Sequence, residues 1–249
     1  MNLVTWNLNG LEDEHLDMRT EAAMFHLLLG APIEKAMLPD FKPNMPDIVI
    51  LQEVVERTFH AHIVPHLTAA GFTLFPDAPT ERSYFEVIAT RHPIINTHYE
   101  KFSYSDQGRG LSTLSIEGLT IMTAHLESQK PGASMRIDQA KQILETMNNH
   151  QGAIIFAGDT NLRESEWQSL ESSLVTKDVK DAWETTGSTK KHKTTWQMNQ
   201  HKARYDRIWH QSLGSKNRIK SFETFGKEKV AEINQRSSDH LGLRVIFDL

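Results

Sequence analysis

Residues 154–163 read I-I-F-A-G-D-T-N-L-R, and the reading of this stretch decides the fold. Ile154–Ala157 is a short unbroken apolar run with the length of a buried strand, and Gly158 opens it into a polar loop. Alternation along a strand puts Asp159 and Asn161 on one side, with Thr160 turned away between them. A carboxylate beside an amide suits a general base, because the acid takes a proton from water while the amide holds the geometry. On its own, Gly-Asp after a strand is also an ordinary turn signal, so the chemical reading needs support from other strand ends.

Just upstream, Ile137, Ala140, Ile143, Leu144 and Met147 fall on one face of an expected helix over 134–148. That helix is expected to cross over between the Asp159 strand and an earlier strand ending Thr123-Ala124-His125-Leu126-Glu127. Residues 111–117 and 119–125 flank Gly118 and read as a hairpin. Gly108-Arg109-Gly110 before it reads as a tight loop carrying an exposed guanidinium. Short strands are expected at 72–75, 84–90 and 94–102, and a helix at 57–70. His60, His62 and His66 in that helix invite a zinc reading, but Pro65 interrupts the segment and no carboxylate motif accompanies them. Nearer the start, 3–7 ends in Asn7 before an Asn9-Gly10 turn, and 47–53 is an apolar strand ending in Glu53. Between them lie an expected helix at 15–29 closed by Gly30, and an irregular stretch holding Pro32, Pro39, Pro43 and Pro46.

Beyond the quoted stretch, 164–170 reads as a short helix and 181–184 as a turn. The 189–204 segment gathers Lys190, Lys191, Lys193, Lys202 and Arg204 around Trp196. It reads either as a solvated loop or as a strip that attracts a phosphate backbone and offers an aromatic face to a base. Residues 204–209 form a strand with Asp206 at a buried position. Ser237-Ser238-Asp239-His240 leads into a last strand at 244–247.

The chain has 249 residues and a formal charge of −5 from 27 Lys and Arg against 32 Asp and Glu. No global positive field advertises a nonspecific nucleic-acid coat, although an enzyme that gathers carboxylates around a divalent cation is compatible with this balance. The count of 0 cysteines excludes disulfides, thiol nucleophiles and Cys-type zinc sites. With no repeat or linker visible, residues 1–249 are expected to form a single domain. The start M-N-L-V-T-W-N has no basic n-region or long apolar run, so no signal peptide is visible. No stretch reaches a bilayer-spanning length. An intracellular protein, cytoplasmic or nuclear (nucleoid-associated in a bacterium), and a monomer, is the expectation.

Asn7, Glu53, His125, Asp159 with Asn161, and Asp239 with His240 stand at five strand ends. In chain order, T-W-N (5–7), L-Q-E (51–53), T-A-H-L-E-S (123–128), G-D-T-N-L-R (158–163), R-Y-D-R-I-W (204–209) and S-D-H (238–240) resemble the endonuclease/exonuclease/phosphatase superfamily, most of all its tyrosyl-DNA phosphodiesterase 2 branch. The resemblance covers nearly the whole chain. It implies an α/β fold: a four-layer α/β sandwich of two packed mixed β-sheets flanked by helices, with the site at one edge.

The implied reaction is Mg²⁺-dependent hydrolysis of a 5′-phosphotyrosyl link between a protein tyrosine and nucleic acid, leaving a 5′-phosphate. Another nuclease or small-phosphodiester hydrolase of the superfamily is the alternative. Mn²⁺ is an expected substitute for Mg²⁺, and a single-stranded 5′ end is the expected partner. Glu53, Asp239 and Asn9 are implied at the metal. Asp159, oriented by Asn161, is implied as the base, and Asp206 as the holder of His240. Asn7, His125 and His240 are implied to stabilise developing charge, and Arg109, Arg163 and Trp196 to contact substrate. Asn9 stands where the branch usually has Asp, which weakens any second metal position. No ubiquitin-binding N-terminal domain is expected.

Overall fold

The computed structural model describes residues 1–173, 175–176, 178–211 and 219–248. Its strands are β1 (Asn2–Asn7), β2 (Ile48–Val54), β3 (Thr73–Phe75), β4 (Phe85–Thr90), β5 (Asn96–Lys101), β6 (Gly110–Ile116), β7 (Leu119–Thr123) and β8 (Ile154–Asp159). They continue with β9 (Lys180–Asp181), β10 (Trp196–Met198), β11 (His201–Ala203), β12 (Asp206–Gln211), β13 (Ile219–Phe225), β14 (Lys229–Val230), β15 (Gln235–Arg236) and β16 (Gly242–Phe247). One six-stranded sheet runs β13-β16-β1-β2-β4-β3 and the other β5-β6-β7-β8-β12-β9. Each mixes parallel and antiparallel pairs, as the resemblance implies.

The apolar runs are continuous because both faces of the central strands are buried. In β1, Leu3 faces the other sheet while Val4 and Trp6 face outward. In β8, Ile155 and Ala157 face inward and Ile154 and Phe156 outward. The inward set packs with Ile48, Ile50, Leu114, Ile121 and Ile208 into the core between the sheets. Ala23, Met24 and Leu27 of the helix Leu16–Leu29 cover the outside of the first sheet. Ala140, Ile143, Leu144 and Met147 of the helix Ala133–Asn149 cover the second. These are the four expected layers.

Both long helices are crossovers between parallel neighbours, β1 to β2 and β7 to β8, and that geometry sets the position of the site. Parallel strands end at the same edge, so Asn7, Glu53 and Asp159 emerge together, with His125 just past β7. β12 runs antiparallel to β8 with Asp206 opposite Asp159. β16 runs antiparallel to β1, so His240, just ahead of it, also reaches that edge. Below this edge Gln52 Nε2 donates to Thr5 Oγ1 (3.1 Å) and to Thr123 Oγ1 (3.2 Å), a polar tie across the two sheets.

The expected 57–70 helix is three pieces: a turn at Glu56–Thr58, a π segment at Phe59–Ile63 and an α segment at Val64–Ala69. Pro65 supplies the reason, since it has no N–H and its ring crowds the preceding turn; the wider π turn accommodates both. The histidines there serve local contacts. His62 Nε2 lies 3.2 Å from Asp17, and His66 Nδ1 lies 2.7 Å from the His62 carbonyl. Among the described residues no metal-holding group includes them, and no helix is long and apolar enough to cross a membrane.

His26 is buried between the Trp6 and Phe225 rings, and His210 is buried on β12. Burial pushes both imidazoles down to about 4. An unfolded chain takes up these protons first, near an ordinary value of about 6.5, so their stabilising contribution is full above that pH and shrinks towards 4. His26→Phe keeps the ring packing and removes one such group. The acid-side fall in stability between about pH 6.5 and 4.5 should be smaller in this variant by an amount on the order of 2 kcal/mol, and the fall in Tm shallower with it. Parallel thermal melts across that range check this, and equal slopes would count against it.

Candidate active site

The carboxylate of Asp159 is 1% exposed and accepts two hydrogen bonds. Asn7 Nδ2 donates to its Oδ2 (2.9 Å), and the Asn161 backbone N–H donates to its Oδ1 (2.9 Å). Asn161 therefore orients the acid with its main chain, while its side-chain amide donates to the Leu126 carbonyl (3.2 Å). Asn161 has a positive φ of 51°, so strand alternation ends at Asp159 and a tight Asx turn replaces it. Thr160 does turn away, its hydroxyl donating to the Tyr205 carbonyl (2.6 Å). Burial, with Asp206 nearby adding to it, raises the Asp159 carboxyl above the ordinary range, which makes it a stronger base.

His240 Nδ1 lies 2.9 Å from Asp206 Oδ2, and its Nε2 lies 3.7 Å from Asp159 Oδ2. Burial works against a charge on His240, but Asp206 and Asp159 overcome it and raise the imidazole pKa, keeping it protonated. With Nδ1–H committed to Asp206, Nε2–H is the free donor. His125 behaves oppositely: burial, with Arg109 and His240 beside it, holds it well below its ordinary value and neutral. Its Nε2 is 3.3 Å from Asp159 Oδ2. Gly158 makes this approach possible, because a Cβ there would stand 2.3 Å from the Ala124 carbonyl oxygen.

Glu53 closes β2 with φ 52°, where the β2–β4 register slips between Leu51 and Val54. A non-glycine residue in the left-handed region stores about 1 kcal/mol or more, and here the turn aims the carboxylate into the cleft. Asn7 Nδ2 also donates to Glu53 Oε1 (3.1 Å), so one amide ties Glu53 to Asp159. Trp196 Nε1 donates to Asp239 Oδ2 (2.7 Å), and Asp239 Oδ1 is buried without a hydrogen-bond partner among the described residues. Asn9 has φ 50°, and its N–H donates to Asn7 Oδ1 (2.9 Å).

A cleft of about 480 Å³ collects Asn9, Glu53, His125, Asp159, Asn161 and Arg163, with Trp196, Asp239 and His240. Asn7 and Asp206 stand directly behind it through their bonds to Asp159 and His240. All the site residues read from the sequence thus converge on this edge. Arg109 also lines the cleft but is not exposed as expected. It is 2% exposed, because its guanidinium lies over the Tyr84 ring at 4.9 Å. Its Nε and Nη1 have no partner among the described residues.

The 189–204 strip is divided in the same way. Arg204 is buried against Asp181 and Glu184, so it is removed from the strip, and Trp196 is half-buried in the β10–β11 hairpin. Arg163, Lys193, Lys202 and Tyr205 line a neighbouring hollow of about 400 Å³ that continues the cleft. Tyr84, Gln107 and Tyr205 line these walls and were missed in the sequence. Tyr84 stands just ahead of β4 and lines the same cleft as Glu53, a placement that apolar periodicity does not signal.

Donor atoms of Asp159, Asp206 and His240 lie within 4.8 Å of one another, close enough to hold a metal ion. His240 and Asp206 already bond each other. The unpartnered Oδ1 of Asp239 and the inward-aimed Glu53 are oxygen donors that a hard divalent cation suits. The residues present therefore fit a metal.

Residues 4–240 match the Endonuclease/Exonuclease/phosphatase family. Tyrosyl-DNA phosphodiesterase 2 of Bos taurus is 29% identical over 268 residues, covering 100% of this chain and 68% of its own length. The Homo sapiens protein of the same name is 27% identical, covering 100% and 68%. The chain thus spans about two thirds of these relatives. The crystal structure of humanized D. rerio TDP2 by 14 mutations superposes with a TM-score of 0.82 at 25% identity, covering 100% of this chain and 99% of that one. A match of this extent, on two mixed sheets whose shared edge carries the family's motifs in order, makes the chain a member of the endonuclease/exonuclease/phosphatase family of hydrolases, and one that resembles tyrosyl-DNA phosphodiesterase 2 over its whole length.

Proposed function

We propose that this chain hydrolyses 5′-phosphotyrosyl links between a protein tyrosine and nucleic acid, leaving a 5′-phosphate on the strand. The observation that carries this reading is the pairing of an Asp159-centred cluster with Arg109, buried beside it on the Tyr84 ring with two guanidinium nitrogens unpartnered among the described residues. A phosphate ester of a phenol offers such a wall both an anion and an aromatic ring.

Asp159 takes the proton of the attacking water, aimed by Asn7 and the Asn161 main chain. Protonated His240, fixed through Asp206, donates Nε2–H to a phosphoryl oxygen, and Asn7 and neutral His125 line the same pole. Glu53 and Asp239, with Asn9 beside them, would hold Mg²⁺, or Mn²⁺ in its place. The cation supplies charge neutralisation at the phosphate. The leaving phenol has an ordinary pKa of about 10 and departs without a dedicated strong acid. Arg163, Lys193 and Lys202 mark a path for the strand's next phosphates, with Trp196 and Tyr205 as ring surfaces. Removing such an adduct is a DNA-repair reaction.

A single-stranded DNA bearing a 5′-phosphotyrosine, incubated with Mg²⁺ or EDTA, tests the proposal. Tyrosine release that EDTA abolishes supports it. Cleavage of an abasic duplex without tyrosine release, or turnover only of small phosphodiesters, would overturn the substrate and keep the hydrolase.

Trp196 has two jobs in this arrangement, so Trp196→Ala removes a ring and an Asp239 partner together. Trp196→Phe separates them. It should raise the Mg²⁺ concentration for half-maximal rate by about tenfold, with KM for the strand within about twofold, the loss expected for one hydrogen bond to a charged group. A Mg²⁺ titration of initial rates decides. An unchanged Mg²⁺ requirement would remove Asp239 from the metal.

A further inference from the structure

Glu127 stands in the T-A-H-L-E-S run, yet nothing in the proposed reaction uses it. It is 2% exposed. Its Oε1 accepts from the backbone N–H groups of Asp106 (3.1 Å) and Gln107 (3.0 Å). Its Oε2 accepts from Ser105 Oγ (2.8 Å) and Gln139 Nε2 (3.3 Å). A carboxylate is the side chain for this place because every neighbour presents a donor.

Three of those donors belong to one short loop, and Arg109 ends it. Ser105 Oγ, having donated to Glu127, accepts from the Arg109 backbone N–H (2.8 Å). Gln107, whose backbone is bonded to Glu127, accepts from Arg109 Nη2 through its side-chain oxygen (3.1 Å). Backbone and guanidinium of Arg109 are thus each tied to Glu127 through one intermediary.

The other side of Glu127 is anchored to the helix Ala133–Asn149. Its N–H donates to Gln139 Oε1 (2.9 Å), and its carbonyl accepts from Arg136 Nη1 (2.8 Å). Arg136 is fully buried and paired with Glu166 at 2.7 Å. Glu127 thus links the loop to this helix, beside a direct bond from Gln139 Nε2 to the Tyr104 carbonyl (3.0 Å) and the bonds between Gln107 and Ser128 (2.8 Å).

We infer that Glu127 is a positioning residue that holds the Ser105–Arg109 loop so that the Arg109 guanidinium stays over the cleft and sets affinity for the anionic phosphoester. This rests on the reading of Arg109 as a substrate contact. Glu127→Gln turns one acceptor into a donor that faces other donors, with no change of size.

The test compares Glu127→Gln, Arg109→Lys and the double variant on an aryl ester of a nucleoside 5′-phosphate, and follows amide hydrogen exchange at Asp106, Gln107 and Arg109. Glu127→Gln should raise KM on the order of tenfold with kcat within about threefold, and should speed exchange at those three amides. In the Arg109→Lys background the same change should cost less than about twofold, because the contact it serves is already lost. Ser105→Ala, at a half-buried position, should give a smaller shift of the same kind and guards against misfolding of the Glu127 variant.

Full additivity in the double variant, a fall in kcat at constant KM, or unchanged exchange would each overturn the inference. If the wild-type chain ignores every phosphoester offered, the proposed function fails by itself. The exchange rates still decide whether Glu127 holds the loop, and retained protection sinks the idea.

Discussion

Asp159→Asn should lower kcat by about a thousandfold, the loss expected for a positioned general base. The amide keeps the shape and can still accept from one of its two donors, but it takes no proton. The folded state should not suffer. Burial raises the Asp159 carboxyl above its unfolded value, so the charged form is disfavoured in the native protein at neutral pH. A raised acid gains relative stability as pH falls and its proton binds, and costs stability above that range. The Asp159→Asn variant should therefore match or exceed wild type in Tm near pH 7.5 and lose that advantage towards about pH 5. Steady-state rates and melts at both pH values test the two halves together. Retention of a tenth of wild-type kcat would place the base elsewhere.

Glu53→Gln is the second large effect. Rate at millimolar Mg²⁺ should fall roughly a hundredfold or more, since a hard divalent cation loses its best-aimed charged oxygen. Mg²⁺ should raise the Tm of the wild type through preferential binding to the folded state, and that rise should shrink in the variant. Glu53 also sits at φ 52°, where glycine is at ease. Glu53→Gly should therefore show the same catalytic loss without the same penalty in backbone strain. If Mg²⁺ shifts the Tm of wild type and Glu53→Gln equally, the cation is held by other residues, with the Asp159, Asp206 and His240 group the first alternative.

The strands and their crossover helices were legible in the apolar runs and helical periods, whereas the four layers came from the family resemblance that the ordered motifs carry. Ile154–Ala157 and Ile48–Leu51 are apolar without alternation, which marks strands buried on both faces. The helices between parallel strands then force their polar ends to one side. What stayed hidden depends on contacts distant in sequence. Arg109 looked exposed between two glycines, and its burial needs the ring of Tyr84, which stands just ahead of β4. Arg204 looked like part of a basic strip, and Asp181 takes it inward. Asn161 looked like an amide that aims Asp159, but the aiming comes from its main chain at a positive φ, which alternation along a strand does not foresee. Trp196 was read as a face for a base, with no sign that its indole N–H holds Asp239.

β16 lies between β13 and β1, so β1 is paired on that side by a strand made much later. Ribosomes add about 5–20 residues each second, and β1 thus waits on the order of ten to fifty seconds for its neighbour. Throughout that interval the edge of β1 is an open template for other chains, and no hydrolytic site exists, since Asp239 and His240 arrive just before β16. A nascent chain of this protein is therefore harmless to nearby phosphodiesters and dependent on protection from aggregation. Completion of the Asp159 cluster and closure of the β1 edge are the same late event.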